Sequence, residues 1–147
     1  MKVVVDTNIV FSAILNSSSN IGKILVHHRH QFEFYSCEFL KDEIFSHRTK
    51  LLKLTKLDGE SLDELIALSI KRIQFIDQRV LPAKDWNFAI NLLTKIDLKD
   101  APFLALTRHL RAKLWSGDKQ LYKGLSQQGF QNYMIETSAL LNRLNKK

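Results

Sequence analysis

The chain has 147 residues, 45% of them hydrophobic and 25% charged, and this length and composition fit one globular domain over residues 1–147. No apolar run approaches the ~18 residues that cross a bilayer, and Asp6 interrupts the N-terminal apolar stretch, so we expect no membrane segment and no signal peptide. The lone Cys37 cannot form an intrachain disulfide, which fits a cytoplasmic location. The net charge of +7 suits an anionic partner such as nucleic acid, but an ordinary basic protein can carry it too.

Strands and helices are predicted to alternate along the chain. In order, the sequence predicts a strand at 2–6, helix 8–15, a loop at 16–20, helix 21–28, strand 32–36, helices 37–54 and 58–71, strand 72–77, helices 84–95 and 101–111, strand 112–116, helix 118–127, a final strand or sheet edge at 132–136, and a closing helix. Asp58 or Ser61 is the expected start of helix 58–71, and Pro102 places the start of another helix near Ala101. This alternation favours a three-layer α/β/α sandwich with a central, mainly parallel sheet.

Two carboxylates are predicted at the ends of strands. Asp6 follows three valines in MKVVVDTN, and Asp118 follows the strand that ends in WSGD. Ligands of open α/β sheets bind outside the carboxyl ends of the strands. We therefore expect Asp6 and Asp118 to share one edge of the sheet.

Two more carboxylates lie on predicted helices. In CEFLKDEIFSH, Glu43 follows the apolar stripe of its helix rather than the opposite face. In DLKDAPFLALT, Asp100 shares a helix face with apolar residues, and Asp97 lies one turn earlier on the same side if the helix extends that far.

Each acid alone also has an ordinary structural explanation. Asp6 can be a turn residue at the end of a strand, Glu43 a solvated flank of its helix, and Asp100 and Asp118 can be helix N-caps. If all four converge, however, their like charges repel by several kcal/mol at a protein-like effective dielectric, and the cluster needs a cation. Because every ligand is an oxygen, that cation would be Mg²⁺ or Mn²⁺.

These stretches together resemble the PIN-domain nucleases, and the resemblance covers nearly the whole chain. VVVDTNIVFSAI resembles the first motif of that family, CEFLKDEIFSH the second, and DLKDAPFLALTRHLRAKLWSGDKQL the third and fourth. The chain is most similar to the toxin-like branch, which is related to the VapC toxins of toxin–antitoxin modules. That branch often has a further acid two residues after the last aspartate. Gln120 occupies this position here, which weakens the case for a second metal site.

The resemblance implies metal-dependent hydrolysis of phosphodiester bonds, usually in RNA. In this chain Asp6 and Asp100 would hold Mg²⁺ or Mn²⁺, with Asp118 bound directly or through water. Glu43 would bind through water, assist a second metal or orient the attacking water. Supporting or substrate-binding roles are expected for Thr7, Asn8, Asp97, Ser116 and Lys119. RNA-backbone contacts are also expected for Arg108, Arg111 and Lys113. The implied partners are RNA, a cognate antitoxin and a second copy of the chain in a homodimer.

Two other functions and a second metal-binding stretch are possible interpretations of the sequence. A non-catalytic RNA-binding or regulatory PIN-like domain is supported by Gln120 alone. Phosphotransfer on Asp6 is disfavoured, because Asn8 stands where a haloacid-dehalogenase pattern needs an acid and no receiver-type acidic pair is present. The HHRH stretch at 27–30 lacks the spacing of a chelate, so we interpret it as a surface turn able to touch RNA.

Overall fold

A computed structural model describes residues 1–27 and 31–146 of the chain. Within these residues, five strands form one sheet in the order β3-β2-β1-β4-β5, and all of their pairings are parallel. The strands are β1 (Lys2–Val5), β2 (Glu33–Cys37), β3 (Ile73–Ile76), β4 (Lys113–Trp115) and β5 (Met134–Ile135). The prediction of a mainly parallel central sheet is confirmed.

Helices cover both faces of this sheet. Val3, Val4 and Val5 point alternately to its two faces, and all three are fully buried, as expected for an α/β/α sandwich. Within the described residues the helices are α1 (Thr7–Leu15), α2 (Asn20–Gly22), α3 (Phe39–Ser46), α4 (Arg48–Thr55), α5 (Gly59–Ile70), α6 (Ala83–Leu93), α7 (Ala101–Leu110), α8 (Lys119–Gln127) and α9 (Thr137–Asn145).

No single described helix has the length and apolarity to span a membrane. Only α1 taken together with Asn20–Val26, at a bend of 109°, reaches that length and apolarity.

The strand order creates a crevice between β1 and β4. The chain continues from β1 to β2 and β3 on one side of β1, whereas β4 and β5 lie on the other side of β1. Connections therefore leave the carboxyl ends of β1 and β4 in opposite directions, which is where doubly wound sheets bind ligands. The Asp6 amide donates to the Trp115 carbonyl at 3.1 Å, and this bond aligns the carboxyl ends of β1 and β4.

The predicted helix 37–54 is wrong in its bounds and in its continuity. Cys37 is the last residue of β2, and the helical part is broken at His47, where α3 gives way to α4. Two side-chain bonds compete for the last turn of α3: the Ser46 hydroxyl donates to the Glu43 carbonyl at 3.0 Å, and His47 Nδ1 lies 2.8 Å from the same oxygen. The break lets α4 turn away from the sheet edge and pack against α1 and α5.

Other boundaries differ from the prediction in instructive ways. The helix predicted at 21–28 is a short α2 followed by a π-helical turn, Lys23–His27; residue 28 and most of HHRH lie outside the described residues. The final strand has two residues, because a 3₁₀ turn, Gln131–Tyr133, precedes it. The start of α7 at Ala101 is confirmed, and Asp58 caps α5 by accepting from the Ser61 amide at 2.7 Å.

Candidate active site

Asp6 lies at the end of β1, where it caps α1 and is only 4% exposed. Its Oδ1 accepts from the Thr7 amide at 2.7 Å, and its Oδ2 accepts from the Ser116 hydroxyl at 2.7 Å. Burial raises the pKa of Asp6 to about 6; the two hydrogen bonds oppose this shift, and the charges of Glu43 and Asp118 add to it. These two hydrogen bonds hold the carboxylate in place, and no cationic side chain among the described residues forms an ion pair with it.

Ser116 joins the turn after β1 to the turn after β4. Besides donating to Asp6, its hydroxyl accepts from the Asp118 amide at 3.1 Å and from Asn8 Nδ2 at 3.2 Å. The side-chain Oδ1 of Asn8 in turn accepts from the Gly117 amide at 3.1 Å. These bonds fix Asp6 and Asp118 relative to each other across the crevice.

Asp118 is a helix cap, as its ordinary explanation held. Its Oδ1 accepts from the Gln120 and Leu121 amides at 2.9 and 3.2 Å, at the start of α8. Both capping bonds use the same oxygen, and the charge of Asp118 raises the pKa of Asp6 and of Asp100. Capping and membership of the acidic cluster are therefore compatible.

Glu43 is half-buried and is tied to the start of α1. Its Oε1 accepts from the Thr7 hydroxyl at 2.5 Å, across 36 residues of sequence. The interpretation of Glu43 as a solvated flank of α3 is therefore wrong. The Thr7 hydroxyl orients Glu43, while the Thr7 amide orients Asp6.

Asp100 is the least compensated of the four acids. It occupies the N-cap position of α7 without a capping bond, so its ordinary explanation as a cap is wrong. It is 9% exposed, and its Oδ2 is buried without a hydrogen-bond partner among the described residues. Burial, followed by the charges of Asp6, Asp97, Asp118 and Glu43, raises the pKa of Asp100 to about 8.

The remaining predicted residues are more peripheral. Asp97 is exposed and accepts from the Lys99 amide at 3.0 Å in a 3₁₀ turn, Leu98–Asp100, because α7 does not extend back to it. Lys119 is exposed at the first residue of α8. Arg108 and Lys113 have other partners: Arg108 pairs with the buried Asp85 at 2.9 Å, and Lys113 donates to the Asn132 carbonyl.

The four acids fit a hard divalent cation by their chemistry. In the described part of the chain, no three Asp, Glu, His or Cys side chains already surround one metal position. Nevertheless, the charges of Glu43 and Asp118 raise the pKa values of both Asp6 and Asp100, and Asp100 Oδ2 has no donor among the described residues. An all-oxygen set with a buried, unpartnered carboxylate oxygen is a set that Mg²⁺ or Mn²⁺ would complete.

A family model for the PIN domain matches residues 4–138. The chain belongs to the PIN-domain family. A comparison with curated proteins finds no match. PIN domains are generally nucleases, and PIN-domain nucleases typically use divalent metals. The matched region of this PIN domain contains all four acids and the hydrogen bonds that connect their supports.

Proposed function

We propose that this PIN domain, as a single domain over the whole chain, is a Mg²⁺- or Mn²⁺-dependent endoribonuclease. The observation that carries the proposal is the buried Oδ2 of Asp100, which has no hydrogen-bond partner among the described residues and lies among acids whose charges raise the pKa of Asp100. Such a group destabilises the metal-free fold, because near neutral pH the folded protein must either bury an unpaired charge or take up a proton. Binding of a cation during catalysis compensates that charge.

Each acid has a distinct part in this proposal. Asp6, Asp100 and Asp118 would hold the ion, and the bound ion would polarise a phosphoryl oxygen and acidify a water molecule. The Ser116 hydroxyl and the Thr7 amide keep the Asp6 carboxylate oriented. Because Thr7 fixes one oxygen of Glu43, the other oxygen is available to orient the attacking water and accept its proton.

The biological setting is proposed from sequence similarity. The resemblance to VapC-type toxins supports a toxin of a toxin–antitoxin module, acting on RNA in the cytoplasm and neutralised by a cognate antitoxin. Homodimerisation is proposed on the same basis.

RNA cleavage tests the proposal directly. Purified protein is incubated with end-labelled RNA and Mn²⁺, with EDTA as the metal-free control. We expect Glu43→Gln to cut at least ~100-fold more slowly, because removing a general base typically costs that much. Asp42→Asn is the matched control, since Asp42 is the neighbouring acid on α3 and is exposed.

Two outcomes would contradict the nuclease proposal. Equal RNA loss in the wild type and Glu43→Gln would indicate a contaminating ribonuclease. RNA that is bound but never cut, with or without Mn²⁺, would favour the non-catalytic alternative that Gln120 suggested.

Ser116→Ala should weaken metal binding without unfolding the protein. The substitution removes the donor to Asp6 and the acceptor for the Asp118 amide, so both ligands lose orientation. Loss of such a supporting bond typically costs ~10–100-fold in metal affinity. Calorimetric titration of Mn²⁺ measures the change, with Ser126→Ala on α8 as the control. Equal Mn²⁺ affinities for both variants would show that Ser116 does not position the ligands.

A further inference from the structure

A cleft of about 630 Å³ lies between α8 and the segment that follows α6. Its lining includes three lysines and three glutamines, namely Lys95, Lys119, Lys123, Gln120, Gln127 and Gln128. Of the three lysines, the sequence analysis identified Lys119 alone. Lys95 and Lys123 lie 28 residues apart and come together only through the packing of α8 against the end of α6.

The cleft has a well-packed floor. Gly124 admits Ile96 closely: a Cβ at position 124 would lie 2.4 Å from Ile96 Cδ1. Gln128 Nε2 donates to the Leu92 carbonyl at 3.0 Å and ties the end of α8 to the end of α6. The walls are therefore held at a fixed separation by packing and by a hydrogen bond.

The cleft is electropositive, in contrast to the acidic cluster of Asp6, Glu43, Asp100 and Asp118. None of its lining residues is acidic, and no ion pair involves its three lysines in the part of the chain that the structure describes. Lys119 and Lys123 are one turn apart on α8 and project from the same side of the helix. Ammonium and amide groups together are donors for phosphate oxygens.

The cleft also adjoins the acidic cluster, because the lining residue Gln120 donates its amide to Asp118 Oδ1 at 2.9 Å. Lys119 directly follows Asp118, and the segment that carries Lys95 leads into the turn that ends at Asp100. A phosphodiester bound at the acids would therefore have its neighbouring nucleotides beside the lysines. A single small anion would need one or two of these ammonium groups, whereas a chain of phosphates can use all three.

We propose that this lysine cleft binds the phosphate backbone of RNA next to the scissile nucleotide. The inference rests on the proposed ribonuclease function and assigns the residues that hold its substrate. Binding at such a site depends on charge and is insensitive to base sequence.

Equilibrium binding in EDTA tests the cleft without cleavage. A labelled single-stranded RNA is titrated with wild type, with Lys95→Gln/Lys123→Gln, and with the matched control Lys50→Gln/Lys53→Gln on α4, which packs against α1, α3 and α5. We expect at least ~10-fold weaker binding for the cleft variant, and a salt slope reduced by about 1.4, since each lost phosphate contact on a single strand contributes about 0.7. The control should match the wild type.

Two further measurements use inorganic phosphate, as a competitor of the RNA, and Mn²⁺, as a probe of the acidic cluster. Millimolar phosphate should not displace the RNA, and calorimetric Mn²⁺ affinity should be the same in the cleft variant and the wild type. An unchanged affinity and salt slope for the cleft variant, an equal loss in the control, or full displacement by phosphate would overturn the proposal. RNA binding that depends on the lysines in a protein that cuts no RNA would contradict the nuclease function and leave the cleft assignment standing.

Discussion

Asp100→Asn should abolish RNA cleavage and, at the same time, stabilise the metal-free protein. Cleavage should fall at least ~100-fold, because loss of a direct ligand costs more than loss of a supporting bond. The stability gain follows from the pKa of Asp100, which burial and the neighbouring acids raise to about 8. After a discount for solvent at the pocket mouth, we expect a gain of about 1–3 kcal/mol near neutral pH. Thermal unfolding in EDTA and an RNA cleavage assay measure the two effects.

Asp85→Asn is the matched comparison, because Asp85 is also a buried aspartate but has partners. It is 2% exposed, and it pairs with Arg108 at 2.9 Å and lies 3.2 Å from His109 Nδ1. Removing its charge should lower the free energy of unfolding, since Arg108 would keep a partly buried charge without its carboxylate. If both substitutions destabilise the metal-free protein, then Asp100 is an ordinary structural residue and our interpretation of it is wrong.

Raising the pH should destabilise the metal-free protein and strengthen metal binding. The folded-state pKa values of Asp6 and Asp100, about 6 and about 8, both exceed the unfolded value of 3.8. The folded chain therefore binds more protons than the unfolded chain between about pH 4 and pH 8, and stability contributed by these groups is lost as pH rises through that window. Metal binding requires the deprotonated acids, so Mn²⁺ affinity should tighten by up to ~10-fold per pH unit between about pH 6 and pH 8, where Asp100 is the acid that loses its proton.

Comparing the melting temperatures of the wild type and Asp100→Asn separates the titration of Asp100 from that of the histidines, which both proteins share. The melting temperature of the metal-free variant should exceed that of the wild type by a margin that grows from pH 5 to pH 8. Calorimetry in buffers of different ionisation enthalpy should show a proton released for each Mn²⁺ bound near neutral pH. A margin that is constant over this range, or Mn²⁺ binding without proton release, would contradict the assigned pKa shifts.

The sequence predicted the positions of the acids better than their hydrogen bonds. A run of three valines ending in Asp6 identifies a buried strand that leads to a sheet edge, and Pro102 places Asp100 just before a helix. The bond from the Thr7 hydroxyl to Glu43 spans 36 residues, and Ser116 reaches Asp6 across 110. Such contacts depend on strand order and register, which local patterns do not specify.

The sequence did not predict the break between α3 and α4 or the lysine cleft. Side-chain hydrogen bonds to the helix backbone accompany the break, and tertiary packing forms the cleft. The break at His47 coincides with side-chain bonds to the Glu43 carbonyl, in a stretch that the sequence predicted as one continuous helix. The lysine cleft forms where α8 contacts the end of α6 and the segment after it, and these parts of the chain are distant in sequence. Charge composition indicated an anionic partner, and only the fold shows which lysines share a cleft.

Calorimetric titration of Mn²⁺ into the metal-free protein, near pH 8, tests the central claim that the converging acids hold a divalent cation. The wild type and Asp42→Asn should bind Mn²⁺ and melt at a higher temperature with it, because a ligand that binds only the folded state stabilises that state. Asp100→Asn should show neither binding nor a rise in melting temperature. No binding to the wild type, or equal binding to the wild type and Asp100→Asn, would contradict the account.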